Sequence, residues 1–236
     1  MLIGRNIIGT VSYLGGVPTI PTPFVKAWGE MIQFNSEYFT TQEERIFYNP
    51  MTASYHSFAR NSAVEQMKGD WLLQLDTDIV FEPDIVLRML NKMNKFGIDV
   101  LVAPYLYKIS FHPPVLYGYD PDKKEKTLIG KWDRNADLIP IKGAGGGCLL
   151  VRKNVYTTIQ KKLKCSPFDI YFDKQTKSPL SEDHSFFERC WNLKIPCYAA
   201  PDITVNHLMW KQLEVYKDFD ERDGRFAPKK IRKFWV

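Results

Sequence analysis

The ten residues Gly69-Asp70-Trp71-Leu72-Leu73-Gln74-Leu75-Asp76-Thr77-Asp78 constrain this chain more than any other stretch. An apolar run long enough for one buried strand, Trp71–Leu75, stops at two carboxylates spaced i, i+2. Open α/β sheets bind ligands at the carboxyl ends of their strands. Two acids at such an edge repel each other and are costly to desolvate unless a cation lies between them. The plainer reading of Asp76 and Asp78 is a capping pair ahead of the next helix.

The flanking segments place this strand in an alternating pattern. Ile7–Val11 reads as a first strand, followed by a loop rich in Gly and Pro. Phe24 to Ile32 reads as a helix with a short strand near Phe34, and Thr52 to Met67 as a second helix with Thr52 or Ser54 as N-cap. Glu82-Pro83-Asp84 opens a third, with Pro in its first turn and Ile85, Val86, Met89, Leu90 and Met93 on its buried face. Ile98–Tyr105 is a strongly apolar strand, and residues 106–140 are a polar, aromatic excursion or hairpin. Gly143–Gly147 leads into a strand at Cys148–Val151, and a helix follows with Val155, Ile159 and Leu163 on one face. Another helix begins near Glu182 and buries Phe186, Phe187 and Cys190, and Cys197–Val205 is a last short strand. Strands alternating with helices indicate α/β architecture.

At 236 residues the chain fits one large domain or one domain with extensions, and its 44% hydrophobic and 25% charged content is that of a globular enzyme. The net charge of +5 is unevenly placed. No acid occurs between Cys148 and Phe168, whereas Arg152, Lys153, Lys161, Lys162 and Lys164 all do, and the tail adds Lys229, Lys230, Arg232 and Lys233. Solvated faces explain each run alone; together they also suit a polyanionic partner. Cys148, Cys165, Cys190 and Cys197 have no zinc-type spacing and read as free thiols in a reducing cytosol. Asn6–Val25 is uncharged, but its three prolines and three glycines exclude a continuous spanning helix, and no signal peptide is visible. The expectation is a cytoplasmic protein with no membrane span.

Four segments in order resemble the GT-A fold of nucleotide-sugar glycosyltransferases. Gly9-Thr10-Val11-Ser12-Tyr13 resembles the segment holding base and ribose, and Asp76-Thr77-Asp78 the DxD metal site. Ser181-Glu182-Asp183 resembles the xED motif at a helix start, and Val205-Asn206-His207 the late His of the metal shell. The resemblance covers roughly residues 7–210 and implies a single GT-A domain over 1–210, with a mixed, mainly parallel sheet flanked by helices. Residues 211–236 would be a basic aromatic tail packing on or extending it.

The resemblance implies a hexosyl- or pentosyltransferase using a nucleotide sugar, UDP-linked by expectation, and Mn²⁺ or Mg²⁺. Such a cation neutralises the departing diphosphate. Asp78 would be a direct ligand, Asp76 a ligand, a water-mediated ligand or a ribose contact, and His207 either a third ligand that tilts the choice toward Mn²⁺ or an ordinary core or surface histidine. Thr10, Ser12 and Tyr13 would meet the nucleotide. Arg60, on the helix before the metal strand, would reach it too or be an ordinary exposed charge. Asp183 would take the acceptor proton, with Glu182 orienting substrate or supporting the loop; both otherwise only charge a helix N-terminus. In a retaining enzyme Asp183 would instead position a substrate.

Gly143–Gly147, with Gly145 and Gly146 at its centre, lacks the Lys-Ser/Thr of a Walker loop. It is either a flexible turn or a place where backbone approaches donor or acceptor closely. Tyr107, Trp132 and Trp210 are aromatic candidates for stacking, with packing as the plainer role. The compact chain also resembles bacteriophage-encoded glycosyltransferases, some of which modify hydroxylated bases in DNA. DNA is therefore one expected acceptor partner, with surface glycan, lipid-linked and protein acceptors as alternatives. A sugar-nucleotide nucleotidyltransferase is disfavoured because Gly9–Gly16 carries neither Arg nor Lys. A non-catalytic nucleic-acid or glycan binding module is the remaining alternative.

Overall fold

The computed structural model describes residues 7–15, 20–41, 44–52, 55–105, 115–120, 122, 125–130, 133, 135–173, 177–203, 205–208, 210–216 and 228–235. Along the chain, β1 (Ile7–Gly15) leads to α1 (Thr22–Tyr38), β2 (Glu44–Tyr48), β3 (Met51–Thr52), α2 (His56–Gln66), β4 (Trp71–Asp76), β5 (Ile79–Val80) and α3 (Ile85–Phe96). Next come β6 (Val100–Val102), β7 (Leu116–Asp120), β8 (Glu125–Leu128), β9 (Ile139–Ile141), β10 (Gly143–Ala144), β11 (Cys148–Arg152) and α4 (Lys153–Leu163). The described chain ends with β12 (Phe172–Asp173), β13 (Ser178–Pro179), α5 (Glu182–Asn192), β14 (Cys197–Ala199), β15 (Asn206–His207), β16 (Trp210–Tyr216) and β17 (Pro228–Trp235).

The central sheet has the order β2-β1-β4-β11-β6-β14-β9, with β3 also on β1. Strands β1, β2, β3, β4, β6 and β14 run one way, and only β11 and β9 are reversed. This is the mixed, mainly parallel sheet the sequence implied. Side chains alternate along β4, as strand geometry requires. Trp71, Leu73 and Leu75 enter one core with Phe24 and Met31 of α1 and Met89 and Met93 of α3. Leu72 enters the other, with Ala59 and Ala63 of α2, Val155 and Ile159 of α4, and Phe186 and Cys190 of α5. Each such side chain contributes about 1.5–3 kcal/mol when fully buried. Strand β4, buried on both faces, is therefore a rigid support for the carboxylates at its end. Gly9 on β1 is part of that support: a Cβ there would lie 2.1 Å from the buried Trp71 ring.

Several element boundaries differ from expectation. Helix α1 extends to Tyr38, so Phe34 lies inside it and the strand expected there does not form. Its face of Phe24, Ala27, Met31 and Asn35 continues the i, i+3/i+4 spacing through that point. Helix α2 starts at His56, with Tyr55 as N-cap and no capping side chain; Thr52 belongs to β3, and Ser54 lies outside the described residues. Glu82, Pro83 and Asp84 precede α3 and are not in its first turn, although all five expected buried residues are buried. Strands β6 and β14 keep only three residues each of the longer runs Ile98–Tyr105 and Cys197–Val205. Leu163, expected on the buried face of α4, is exposed at its last turn.

The 106–140 excursion contains the hairpin β7–β8, onto which Gly143–Ala144 pairs as a third strand. Among the described residues, the tail strands β16 and β17 pair antiparallel with each other and with no strand of the central sheet. Among the described residues no helix is long and apolar enough to cross a membrane. All four cysteines are free thiols.

Candidate active site

The carboxyl end of β4 gathers side chains from distant parts of the chain. Leu72, Gln74 and Asp76 share one face of the strand by alternation. Helix α2 covers that face and brings Arg60 over it, buried to 1% exposure. The guanidinium donates to Asp76 Oδ1 at 2.9 Å and Oδ2 at 3.2 Å, to Gln74 Oε1 at 3.2 Å and to the Gly146 carbonyl at 3.0 Å. Its Nε reaches Glu182 Oε1 at 3.3 Å. Burial alone would lower the Arg60 pKa, but Asp76, Glu182 and Asp183 reverse this, and it stays charged. Asp76 shows the mirror effect: burial raises its carboxyl, Arg60 opposes, and Asp78 adds to the rise. Arg60 is thus not an exposed helix charge. It is the buried counter-ion of the acidic edge.

Beyond Asp76 the chain turns into β5, which pairs antiparallel with β15 and sets His207 opposite Ile79. Leu208 N–H donates to the Asp78 carbonyl at 2.7 Å, fixing that register. The result is His207 Nε2 3.4 Å from Asp78 Oδ2. Asp76 faces Arg60 on the other side, and among the described residues no group of three His, Cys, Asp or Glu side chains forms a metal cage. The structure brings Asp78 and His207 together as a pair, and directs Asp76 to Arg60.

The third part is the start of α5. Asp183 Oδ2 accepts the Gly146 N–H at 3.2 Å, and Oδ1 accepts the His184 N–H at 2.7 Å and the Ser181 hydroxyl. Both Glu182 and Asp183 lie in the first helical turn, where the helix dipole favours negative charge. Asp183 and Arg60 are therefore held by opposite groups of the same Gly146 peptide neighbourhood.

The glycine run is shaped by side chains packed against it. A Cβ on Gly146 would lie 2.8 Å from the Arg60 Cζ, and one on Gly145 would lie 2.0 Å from the Tyr105 hydroxyl. Close approach is needed here, and the groups that need it are Arg60 and Tyr105. Tyr105 accepts the Gly147 N–H at 3.1 Å and stands edge-on to His207, ring centroids 5.0 Å apart. Burial raises its pKa well above the ordinary value, and Asp76 and Asp183 push the same way. Sequence reading missed Tyr105 and Gln74 as site residues. Each left a signal: Tyr105 ends an apolar run just as Asp76 does, and Gln74 is the one polar residue inside the run Trp71–Leu75.

The β1 segment runs up to the same edge, with Ser12, Tyr13 and Leu14 paired with Gln74, Leu75 and Asp76. Thr10 pairs with Leu72, four residues short of Asp76, which is about 13 Å along a strand. Its hydroxyl donates to the Lys68 carbonyl and accepts the Lys68 N–H. The Ser12 hydroxyl donates to the Asn49 carbonyl. Tyr13 stands edge-on to Phe24 and Trp28 on the opposite face of the sheet. Thr10 and Ser12 fasten loops, and Tyr13 packs on α1. Tyr107 and Trp132 lie outside the described residues, and Trp210 opens β16.

His184, next to Asp183, packs edge-on against Tyr117, and burial lowers its pKa below 6.5 with Asp183 opposing. The unfolded chain therefore takes up this proton near 6.5 while the folded chain resists to lower pH. Stability should fall as pH drops through that window. Urea unfolding at neutral pH and near pH 5 checks it: His184→Gln should show a shallower loss than the wild type, and identical losses would contradict the assignment.

In shape the molecule is a GT-A domain. It superposes on the crystal structure of A197 from STIV with a TM-score of 0.51 at 17% identity, covering 84% of each chain. It superposes on GalNAc-T7, solved with UDP, GalNAc and Mn²⁺, with a TM-score of 0.54 at 10% identity, covering 86% of this chain and 44% of that one. A sequence search of curated proteins finds no match. The family model Glycosyl transferase family 2 matches residues 32–159, more than half of the 236 residues. The chain belongs to glycosyl transferase family 2, and is a glycosyltransferase.

Proposed function

We propose that the protein moves a sugar from a nucleotide donor, UDP-linked, to an acceptor hydroxyl at the carboxyl end of β4. The observation that carries this is the convergence of two chemically different units. The Asp78–His207 pair stands on one side and the Asp183 carboxylate on the other, joined through Tyr105 and Gly145–Gly147. A carboxylate and an imidazole 3.4 Å apart suit a divalent cation of the Mn²⁺ or Mg²⁺ type, with remaining positions for diphosphate oxygens. Such an ion supplies charge neutralisation of the leaving nucleoside diphosphate.

Asp183 takes the proton of the acceptor hydroxyl as its oxygen bonds to the anomeric carbon, while the bond from that carbon to the phosphate oxygen breaks. One displacement of this kind inverts the anomeric centre. Arg60 holds Asp76 and Glu182 at the edge of the site and limits their mutual repulsion with Asp78 and Asp183. For the acceptor, the exposed lysines 161, 162 and 164 at the end of α4 support a polyanion such as DNA carrying hydroxylated bases.

Asp78→Ala tests the metal half of the site. Calorimetry of UDP with and without Mn²⁺ should show metal-dependent binding in the wild type and its loss in the variant, because the diphosphate charge is then uncompensated. His207→Ala should weaken it less, since water can fill one position. Unchanged metal-dependent affinity in Asp78→Ala would remove Asp78 from the site.

A further inference from the structure

Two groups of large apolar side chains stand exposed near the catalytic end of the fold. Tyr55 and Phe58, at the start of α2, are 76% and 66% exposed; Ile170 and Phe172, before α5, are 52% and 58% exposed. Helix α2 begins at the carboxyl edge of the sheet, one turn before Arg60. The second group is tied to the base helix, because Tyr171 N–H donates to Ser185 Oγ at 2.9 Å and Leu180 N–H to the Tyr171 carbonyl at 2.8 Å.

These side chains are exposed on a backbone that is held in place. Asn61 donates to Asp169 Oδ1 and accepts the Phe168 N–H, both at 2.9 Å. Buried Arg189 donates to the Asp169 carbonyl at 2.7 Å and the Pro167 carbonyl at 3.3 Å. Ser166 N–H closes the turn on Asp169 Oδ2. Asn61 therefore locks the start of α2 to the segment that carries Ile170 and Phe172. That same segment leaves the end of α4, where Lys161, Lys162 and Lys164 are exposed.

We propose that this rim is the acceptor platform, and that the acceptor is a nucleic-acid strand stacking bases on Phe58 and Phe172 and setting phosphates against Lys161, Lys162 and Lys164. The inference rests on the sugar-transfer reading of the site. Aromatic faces with interleaved lysines are the chemistry that holds a single strand without reading its sequence. Three of the four rim side chains are aromatic. The carboxylates of Glu182 and Asp183 belong to the same mouth, and acyl chains laid across it would desolvate them. Stacked bases leave that floor hydrated and can present a base hydroxyl to Asp183.

The test is fluorescence anisotropy of the full chain with a labelled oligothymidylate, alongside calorimetry of UDP with Mn²⁺. The double variant Phe58→Ala, Phe172→Ala should lose roughly tenfold or more in oligonucleotide affinity. Its UDP affinity should stay within about twofold, both positions being exposed and neither belonging to the Asp78–His207 pair. Lys161→Gln, Lys162→Gln, Lys164→Gln together should reduce the salt slope by about 2, near 0.7 for each phosphate contact on a single strand. Oligonucleotide binding unaffected by the aromatic pair would overturn the proposal. So would a wild-type chain that binds UDP but ignores DNA, or that prefers phosphatidylglycerol vesicles or a neutral oligosaccharide through the same side chains. Absence of UDP binding in the wild type would instead overturn the sugar-transfer reading on which it rests.

Discussion

Arg60→Met should destabilise the fold by about 3–5 kcal/mol, the usual consequence of removing one partner from a buried ion pair. Met matches the Arg side chain only as far as Nε and keeps that apolar stem in place, so the loss reports the guanidinium with its charge and its hydrogen bonds together. What remains is an acidic edge with Asp76, Glu182 and Asp183 facing a hydrophobic slot, beside Phe168, whose ring centroid lies 5.9 Å from the Arg60 Cζ. The Gly146 carbonyl and Gln74 Oε1 each lose a donor as well. Arg60→Lys should recover only part, because one ammonium cannot meet Asp76, Gln74, Gly146 and Glu182 from a single point. Urea unfolding of the three proteins measures this. A Met variant within about 1 kcal/mol of wild type would mean that water, and not Arg60, compensates these carboxylates.

Asp183→Asn should slow sugar transfer by roughly 10²–10⁴-fold, the size of lost general-base assistance, while leaving UDP affinity nearly intact. The structure sharpens this expectation. Both carboxylate oxygens already accept hydrogen bonds, from Gly146 on one side and from His184 and Ser181 on the other. An amide turns one acceptor into a donor, so it loses the base and one of these bonds together. Turnover and UDP affinity should be read from the same preparation. Near-normal turnover would remove Asp183 as base, and loss of UDP binding as well would assign it a structural role.

The architecture was legible because two strong signals agreed. The apolar run Trp71–Leu75 ends at acids, and the stripe Ile85, Met89, Met93 has an unbroken helical period. Lengths were less legible. Helix α1 outran its expected end because Asn35 is buried and bonds the Tyr48 hydroxyl, a tertiary partner that local pattern does not reveal. The glycine run Gly143–Gly147 was visible, but what it makes room for was not: Arg60 and Tyr105 reach it from positions far away in sequence. Arg60 was found on the right helix, yet its burial depends on α2 lying over Gln74 and Asp76, which only the assembled sheet fixes. Thr10 and Ser12 show the converse. The sequence marks a strand over Ile7–Val11, which extends to Gly15 as β1, but it does not show that these two hydroxyls close onto the backbone of Lys68 and Asn49.

In the proposed function, Asp78, His207 and Asp183 form one sugar-transfer site. Mass spectrometry of a nucleotide-sugar panel, incubated with Mn²⁺ and hydroxyl-bearing acceptors including hydroxymethylated DNA, tests it most directly. One donor should be consumed, an acceptor should gain the mass of its sugar, and both signals should vanish with chelator, in Asp78→Ala and in Asp183→Asn. Transfer that persists undiminished in both variants would contradict it.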